Sequence, residues 1–151
     1  MNEINDFAEK YAYADVEHAL EISPNGNIYN LIGIKGYVGS EIIGKEAMEG
    51  VISIHNHVVR IGKNKGDTFS IDDLTYAVRN NTGKQYLVSG ERRNAFEFVK
   101  MYSEQDIINA WTVSQNQIWE KHLSNNTSPI FIDEEILLNL VIEGFKFYEN
   151  F

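Results

Sequence analysis

The stretch "SIHNHVVRIGKNKGDTFSIDDL", residues 53–74, passes from an apolar run through a polar loop into a helical pattern. The short apolar run 51–57 predicts a buried strand, since such runs fill the centre of a sheet. The glycine- and lysine-containing segment 58–67 predicts a loop. Apolar residues recur at helical spacing in 71–80, which predicts an amphipathic helix. A strand, a loop and a helix in this order indicate a sheet with helices packed against it.

Strand and helix patterns continue on both sides of this stretch. In chain order, the other predicted elements are a hairpin of strands 13–23 and 27–35, a short helix 41–49, strands 85–89 and 95–101, and amphipathic helices 104–123 and 133–148. The Asn25-Gly26 pair is a strong signal for the hairpin turn. We therefore expect an α/β (mixed α+β) fold, with a central mixed β-sheet flanked by helices and a C-terminal helical pair. We expect residues 1–101 to form the core and residues 102–151 to form a helical extension packed on the same domain.

Composition and charge narrow the classes of function. The chain has 151 residues, which is typical of one domain, and a net charge of −9. Nucleic-acid binding needs Lys and Arg clustered on one face, so we expect no nucleic-acid partner. The sequence contains no cysteine, which excludes thiolate metal ligands and disulfides. No apolar run is long enough to span a bilayer, and residues 1–11 lack the apolar segment of a secretory signal, so we expect a cytoplasmic protein without a membrane partner.

Two histidines at the end of the buried strand are candidate metal ligands. Alternate residues of a strand share a face, so His55 and His57 point the same way. Taken alone, such a pair is more often two polar residues at the point where a strand leaves the core. Ser70 and Asp73 then open the predicted helix in a Ser-x-x-Asp pattern, which helix capping alone would explain. Together, two imidazoles and Asp73 would give a His₂Asp donor set that leaves a fourth zinc position open, as in catalytic sites.

This combination resembles the JAMM (JAB/MPN) zinc metalloprotease signature. That signature has an upstream Glu, then His-x-His-Pro, a short loop and Ser-x-x-Asp. The closest likeness is to JAB-like domains of phage head-morphogenesis and toxin-associated proteins, with "EHALEISPNGNIYNLIG", residues 17–33, as the upstream strand segment. Two features depart from the pattern: Val58 occupies the position of the family's Pro, and the loop before Ser70 is longer and carries three basic residues.

The resemblance implies a role for each matching residue. His55, His57 and Asp73 would bind Zn²⁺, Glu17 would be the catalytic Glu, and Ser70 would support the oxyanion. Glu21 shares a strand face with Glu17, so spacing alone leaves both as candidates for the general base. We interpret His18 as structural and His122 as a surface residue.

The function expected from the resemblance is zinc-dependent hydrolysis of a peptide or isopeptide bond in a protein or peptide substrate. Removal of a ubiquitin-like protein and processing of a phage or toxin polypeptide both fit that class. One alternative is a non-catalytic JAB/MPN-like module that binds proteins. The letters "HNH" at 55–57 also suggest a nuclease, but HNH nucleases do not use three consecutive residues, and the acidic charge argues against DNA.

Overall fold

The computed structural model describes residues 2–34, 38–39 and 43–151, which form five helices and one six-stranded sheet. The helices are α1 (Asn2–Tyr11), α2 (Lys45–Met48), α3 (Ile71–Asn80), α4 (Glu104–Ser124) and α5 (Ile132–Leu138). The strands are β1 (His18–Ile22), β2 (Ile28–Ile32), β3 (Ile52–Asn56), β4 (Gln85–Ser89), β5 (Arg92–Phe98) and β6 (Phe145–Tyr148). None of the described helices is both long and apolar enough to cross a membrane.

The sheet is mixed, with strand order β2-β1-β3-β4-β5-β6. β3 and β4 run parallel, and the other four neighbouring pairs are antiparallel. α3 lies between β3 and β4 in sequence, which supplies the crossover that a parallel pair requires. The expected mixed α+β architecture with a central mixed sheet is therefore confirmed.

Helices cover both faces of the sheet. α1 packs on one face, where Phe7 belongs to the same apolar cluster as Leu20 and Ile54. Residues of α3, α4 and α5 form the larger cluster on the opposite face, around Leu87 and Phe96. The candidate site lies on this second face, where the first turn of α3 meets the end of β3.

The opening stretch folds as its pattern predicts. β3 lies within the predicted strand, and α3 has the predicted bounds, with Ser70 as its N-cap. The apolar stripe of α3 is buried at Leu74 and Ala77, as helical periodicity requires. Predicted strand 85–89 and helix 104–123 also match β4 and α4.

The predicted C-terminal helical pair is wrong in its second member. Residues 133–148 do not form one helix: α5 ends at Leu138, and β6 pairs antiparallel with β5. Gly144 has a φ of 84°, in the left-handed region that glycine tolerates best, and it redirects the chain into β6. Phe145 and Phe147 then pack against the larger cluster beside β5. Pairing and packing at this strand edge outweigh the helical spacing of the segment.

Smaller differences concern the bounds of elements and one helix that was not predicted. The first strand begins at His18 rather than at residue 13, and β5 spans Arg92–Phe98 rather than 95–101. The predicted helix 41–49 lies partly outside the described residues, and α2 covers Lys45–Met48. α1 was not predicted, although three of its residues, Ile4, Phe7 and Ala8, form a buried stripe.

The loop 58–67 is tied to the turn between β4 and β5. The Glu91 N–H donates to the Asn64 carbonyl at 2.8 Å, and Lys65 forms a β-bridge with Gly90. Gly90 has a φ of 61°, and a Cβ added there would lie 2.0 Å from the Asn64 carbonyl oxygen. Only glycine lets the two backbones approach so closely.

We therefore expect Gly90→Ala to destabilise the protein more than the replacement of a glycine whose added Cβ contacts nothing and whose only penalty is a strained backbone. Gly26 is the matched control, since its φ is 87° and nothing lies within 4 Å of a Cβ added there. Gly26→Ala should cost about 1–2 kcal/mol for the left-handed backbone. Gly90→Ala should exceed that by about 1–3 kcal/mol because of the clash. Urea unfolding measures both, and equal losses would contradict the close approach.

Candidate metal centre

Three elements bring the candidate residues to one place. Ala19 pairs with His55 in the β1–β3 register, so Glu17 and His57 lie further along the same face at the same end of the sheet. α3 begins directly above that end and contributes Asp73 from its first turn. Glu17, His55, His57, Ser70 and Asp73 all line one cavity of about 350 Å³, which we call the central cavity.

The three proposed ligands converge at their tips. His55 Nε2 lies 3.2 Å from His57 Nε2 and 3.3 Å from Asp73 Oδ1. His57 Nε2 lies 3.9 Å from Asp73 Oδ2. Ligand atoms around tetrahedral zinc with bonds of about 2.0–2.1 Å lie about 3.3–3.4 Å apart, so these separations suit one shared ion. Among the described residues, this is the one group of three or more acidic or imidazole side chains whose ligand atoms converge in this way.

Protons alone do not satisfy the hydrogen-bonding groups of this cluster. His55 Nε2 can donate one hydrogen bond, yet both His57 Nε2 and Asp73 Oδ1 lie within reach of it. With a single proton on Nε2 of His55 or His57, at least one of these contacts is left without its own hydrogen bond, and with a proton on both Nε2 atoms the two N–H groups face each other at 3.2 Å. A cation at the centre would satisfy all three side chains at once.

Ser70 and Asp73 form the predicted capping box. The Ser70 N–H donates to Asp73 Oδ2 at 2.7 Å, and the Ser70 hydroxyl donates to the same oxygen at 2.9 Å. The Asp73 N–H donates in return to Ser70 Oγ. These bonds fix the Asp73 carboxylate so that Oδ1 faces His55. Helix capping and orientation of a metal ligand are therefore performed by the same contacts.

Electrostatics leave two of the three donors, His57 and Asp73, in the protonation states that a metal prefers. Burial, followed by the charge of neighbouring His55, lowers the pKa of His57 to about 4, so this ring is neutral at pH 7. Burial acts to raise the pKa of Asp73, but His55, His57 and the Ser70 backbone outweigh it and hold that pKa well below its usual value. Burial acts to lower the pKa of His55, and Asp73 together with Glu17 and Glu21 reverses the direction, so that this pKa is raised. A neutral imidazole and an ionised carboxylate are metal-binding forms.

Glu17 and Glu21 both line the central cavity, but their surroundings differ. Glu17 is buried, and burial raises the pKa of its carboxyl despite the opposing effect of His55. Glu21 lies deeper, with 2% of its surface exposed, and accepts a hydrogen bond of 3.0 Å from Ser53 Oγ. The charge of Glu17 raises the pKa of His55 more than the charge of Glu21 does. Glu17 is therefore the carboxyl more strongly coupled to the candidate metal ligands.

Asn56, between the two histidines, was missed by the sequence analysis. Its side chain points to the opposite face and is fully buried. Asn56 Nδ2 donates to the Val16 carbonyl at 3.1 Å, and Oδ1 accepts from the His18 N–H at 2.7 Å. These two bonds hold the chain on either side of Glu17. In the sequence, the one sign of this role is the presence of an Asn between the two histidines.

We expect Asn56→Ala to cost about 1–3 kcal/mol of unfolding free energy, since it leaves buried backbone groups without their partner. Asn30→Ala, at an exposed position of β2, is the matched control and should change the free energy of unfolding by less than about 0.5 kcal/mol. Chemical denaturation of both variants gives the comparison. A loss at Asn56 no greater than that at Asn30 would argue against the clamp.

Ser89 holds the exit from β3, where Val58 replaces the Pro of the resembling signature. Its Oγ donates to the His57 carbonyl at 2.8 Å, and the His57 N–H donates to the Val88 carbonyl at 3.0 Å. Side-chain and backbone hydrogen bonds thus restrain this position without a proline ring.

The other two histidines lie outside the central cavity. His18 stacks on Tyr11, with ring centroids 4.0 Å apart, on the face opposite Glu17. The surface placement expected for His122 is wrong, since its side chain is only 12% exposed. Its Nε2 contacts Glu135 of α5 at 2.9 Å, and its Nδ1 contacts Thr127 at 2.7 Å, so it joins α4 to α5.

No protein-family model, curated protein or solved structure matches this chain.

Proposed function

We propose that this protein is a zinc-dependent hydrolase that cleaves a peptide or isopeptide bond in a protein or peptide substrate. The observation that carries the proposal is the convergence of His55, His57 and Asp73 beside the buried carboxyl of Glu17 in one open cavity. The proposal keeps the resemblance to JAMM-type metallopeptidases and the cytoplasmic location expected from the sequence.

Each residue has a chemical task in this proposal. His55 Nε2, His57 Nε2 and an Asp73 carboxylate oxygen would hold the ion, and Ser70 would orient that carboxylate. Bound zinc would supply Lewis-acid polarisation of the amide carbonyl and would lower the pKa of water to about 7. The Glu17 carboxylate would accept a proton from the attacking water and return it to the nitrogen of the leaving amine as the C–N bond breaks.

Burial of Glu17 suits this double task. A general acid–base group works best with a pKa near the working pH, and burial raises the pKa of Glu17 in that direction. Ser70 Oγ lines the cavity, so its hydroxyl can also reach a developing oxyanion if it turns away from Asp73.

A binding module that uses the same cavity without hydrolysis is the competing function. Scaffolds need no convergent ligand set, whereas these three side chains are placed with tips 3.2–3.9 Å apart. A buried, proton-accepting Glu17 beside them is likewise unnecessary for binding alone. The geometry therefore favours hydrolysis.

The test is metal-dependent cleavage of a complex peptide mixture. Wild-type protein, stripped of metal and then reloaded with zinc, is incubated with a proteome digest and with branched peptides that contain isopeptide bonds. We expect new amino termini or released lysine side chains only with the zinc-loaded protein. Cleavage at the same rate by the stripped protein, or none by the loaded protein, would contradict the proposal.

A further inference from the structure

Two more cavities extend from the metal centre across the protein surface. The middle cavity, of about 760 Å³, shares Glu17, His57 and Ser70 with the central cavity. The lip cavity, of about 590 Å³, shares Val58, Arg60 and Asp67 with the middle cavity. The three adjoin in this order, and so they form a groove from the metal centre to the loop 58–67.

Charge changes sign along this groove. The middle cavity is lined by Asp15, Asp67 and Asp133, with Arg60 at its outer end. The lip cavity is lined by three basic residues, Arg60, Lys63 and Lys65, against a single acid, Asp67. On a chain with a net charge of −9, the lip is thus the basic end of an otherwise acidic groove.

Two of the three lip cations are available to a partner. Lys65 is paired with Glu134 at 3.2 Å and also lies over the Phe131 ring. Arg60 and Lys63 are exposed, and neither forms an ion pair with any other residue that the structure describes. The exposed apolar side chains of Ile61 and Ile130 flank them. Arg is enriched at protein interfaces, and exposed apolar patches mark interaction sites.

The lip is also fixed in place before any partner arrives. Arg92, buried in the core, donates from Nε to the Gly66 carbonyl at 2.8 Å and pairs with Glu134 at 2.5 Å. The Gly66 N–H donates to the Ser89 carbonyl, and the Lys63 N–H donates to the Arg60 carbonyl at 3.0 Å. A loop anchored at Gly66 and closed by an internal turn loses less conformational entropy on binding than a free one, which favours its use for recognition.

We propose that the groove selects a linear polypeptide segment with an acidic side chain displaced from the cleaved bond, so that its carboxylate pairs with Arg60 and Lys63. This inference rests on the proposed function, because it names the substrate that the central cavity receives. The carboxylate binds at the lip and not in the middle cavity, where Asp15 and Asp133 would repel it. Residues between the acidic side chain and the cleaved bond are uncharged or basic for the same reason.

Binding of short dye-labelled peptides to the Glu17→Gln variant tests this proposal without requiring hydrolysis. Fluorescence anisotropy compares peptides in which one Glu is moved along a neutral sequence with twins that carry Gln at the same place. We expect the Glu peptide to bind more tightly at one position, and Arg60→Ala/Lys63→Ala to weaken it about tenfold, the sum of two exposed ion pairs. Lys121→Ala, an exposed lysine of α4, is the control for Lys63→Ala and should leave binding unchanged.

Charge reversal supplies a second arm. Arg60→Glu/Lys63→Glu should prefer a Lys peptide, with an unchanged melting temperature because both side chains are exposed. Equal affinity for Glu and Gln peptides at every position, including no binding of either, would overturn the proposal. Tighter binding of a single-stranded oligonucleotide with the same dependence on Arg60 and Lys63 would also overturn it. Zinc content and hydrolysis, measured separately on the wild-type protein, report failure of the proposed function independently.

Discussion

His55→Ala/His57→Ala should remove nearly all bound zinc from a protein that otherwise carries about one zinc ion per chain. The double change deletes two of the three atoms that converge on the proposed ion position and leaves Asp73 alone. A single carboxylate does not retain zinc through gel filtration. Elemental analysis after removal of free metal measures the occupancy of wild-type and variant proteins.

Two further variants make this prediction specific. His18→Ala removes an imidazole from the opposite face of the same end of the sheet and should leave zinc content unchanged. Ser70→Ala removes a hydrogen bond to Asp73 Oδ2 but no ligand, and should weaken zinc affinity about 10–100-fold. If the double histidine variant keeps wild-type occupancy, the metal lies elsewhere and the assignment is wrong.

Glu17→Gln should lower the rate of hydrolysis about 10²–10⁴-fold while zinc content stays at the wild-type level. Glutamine has nearly the same shape as glutamate but cannot accept the proton of the attacking water. Glu17 is also not among the three converging ligands, so the ion should remain bound. Quantitative comparison of new amino termini and released lysines, with zinc measured on the same samples, gives both readouts.

Glu21→Gln is the matched control, because it neutralises the second carboxyl of the same cavity. Its hydrogen bond with Ser53 survives in altered form, and we expect a much smaller loss of rate. The opposite ranking, with Glu21→Gln inactive and Glu17→Gln active, would transfer the role of general base to Glu21. Loss of zinc from Glu17→Gln would instead make Glu17 a ligand or a structural residue.

Local patterns predicted the part of the fold that surrounds the candidate site. The apolar run of β3, the helical spacing in α3 and the Ser70–Asp73 capping box depend on neighbours within a few residues, and all three predictions are confirmed. Residue type alone also limited any metal site to imidazole and oxygen donors, since the chain contains no cysteine.

Contacts between distant parts of the chain decided the rest. β6 forms because residues 145–148 pair with the open edge of β5, and local spacing in 133–148 carries no information about that edge. Asn56 has a structural role because its side chain forms hydrogen bonds with the backbone of Val16 and His18. The lip keeps its position because Gly90 lies against the backbone of Asn64.

The sequence by itself determined which side chains could bind a metal and which short segments would be strand or helix, because those properties depend on residue type and local backbone periodicity. Only the tertiary structure decided that His55, His57 and Asp73 meet with their nearest ligand atoms 3.2–3.9 Å apart and that Glu17 is buried beside them. Such convergence depends on the register of β1 against β3 and on the angle at which α3 crosses the sheet. Packing of the whole core sets both quantities, and no segment of the sequence encodes them alone.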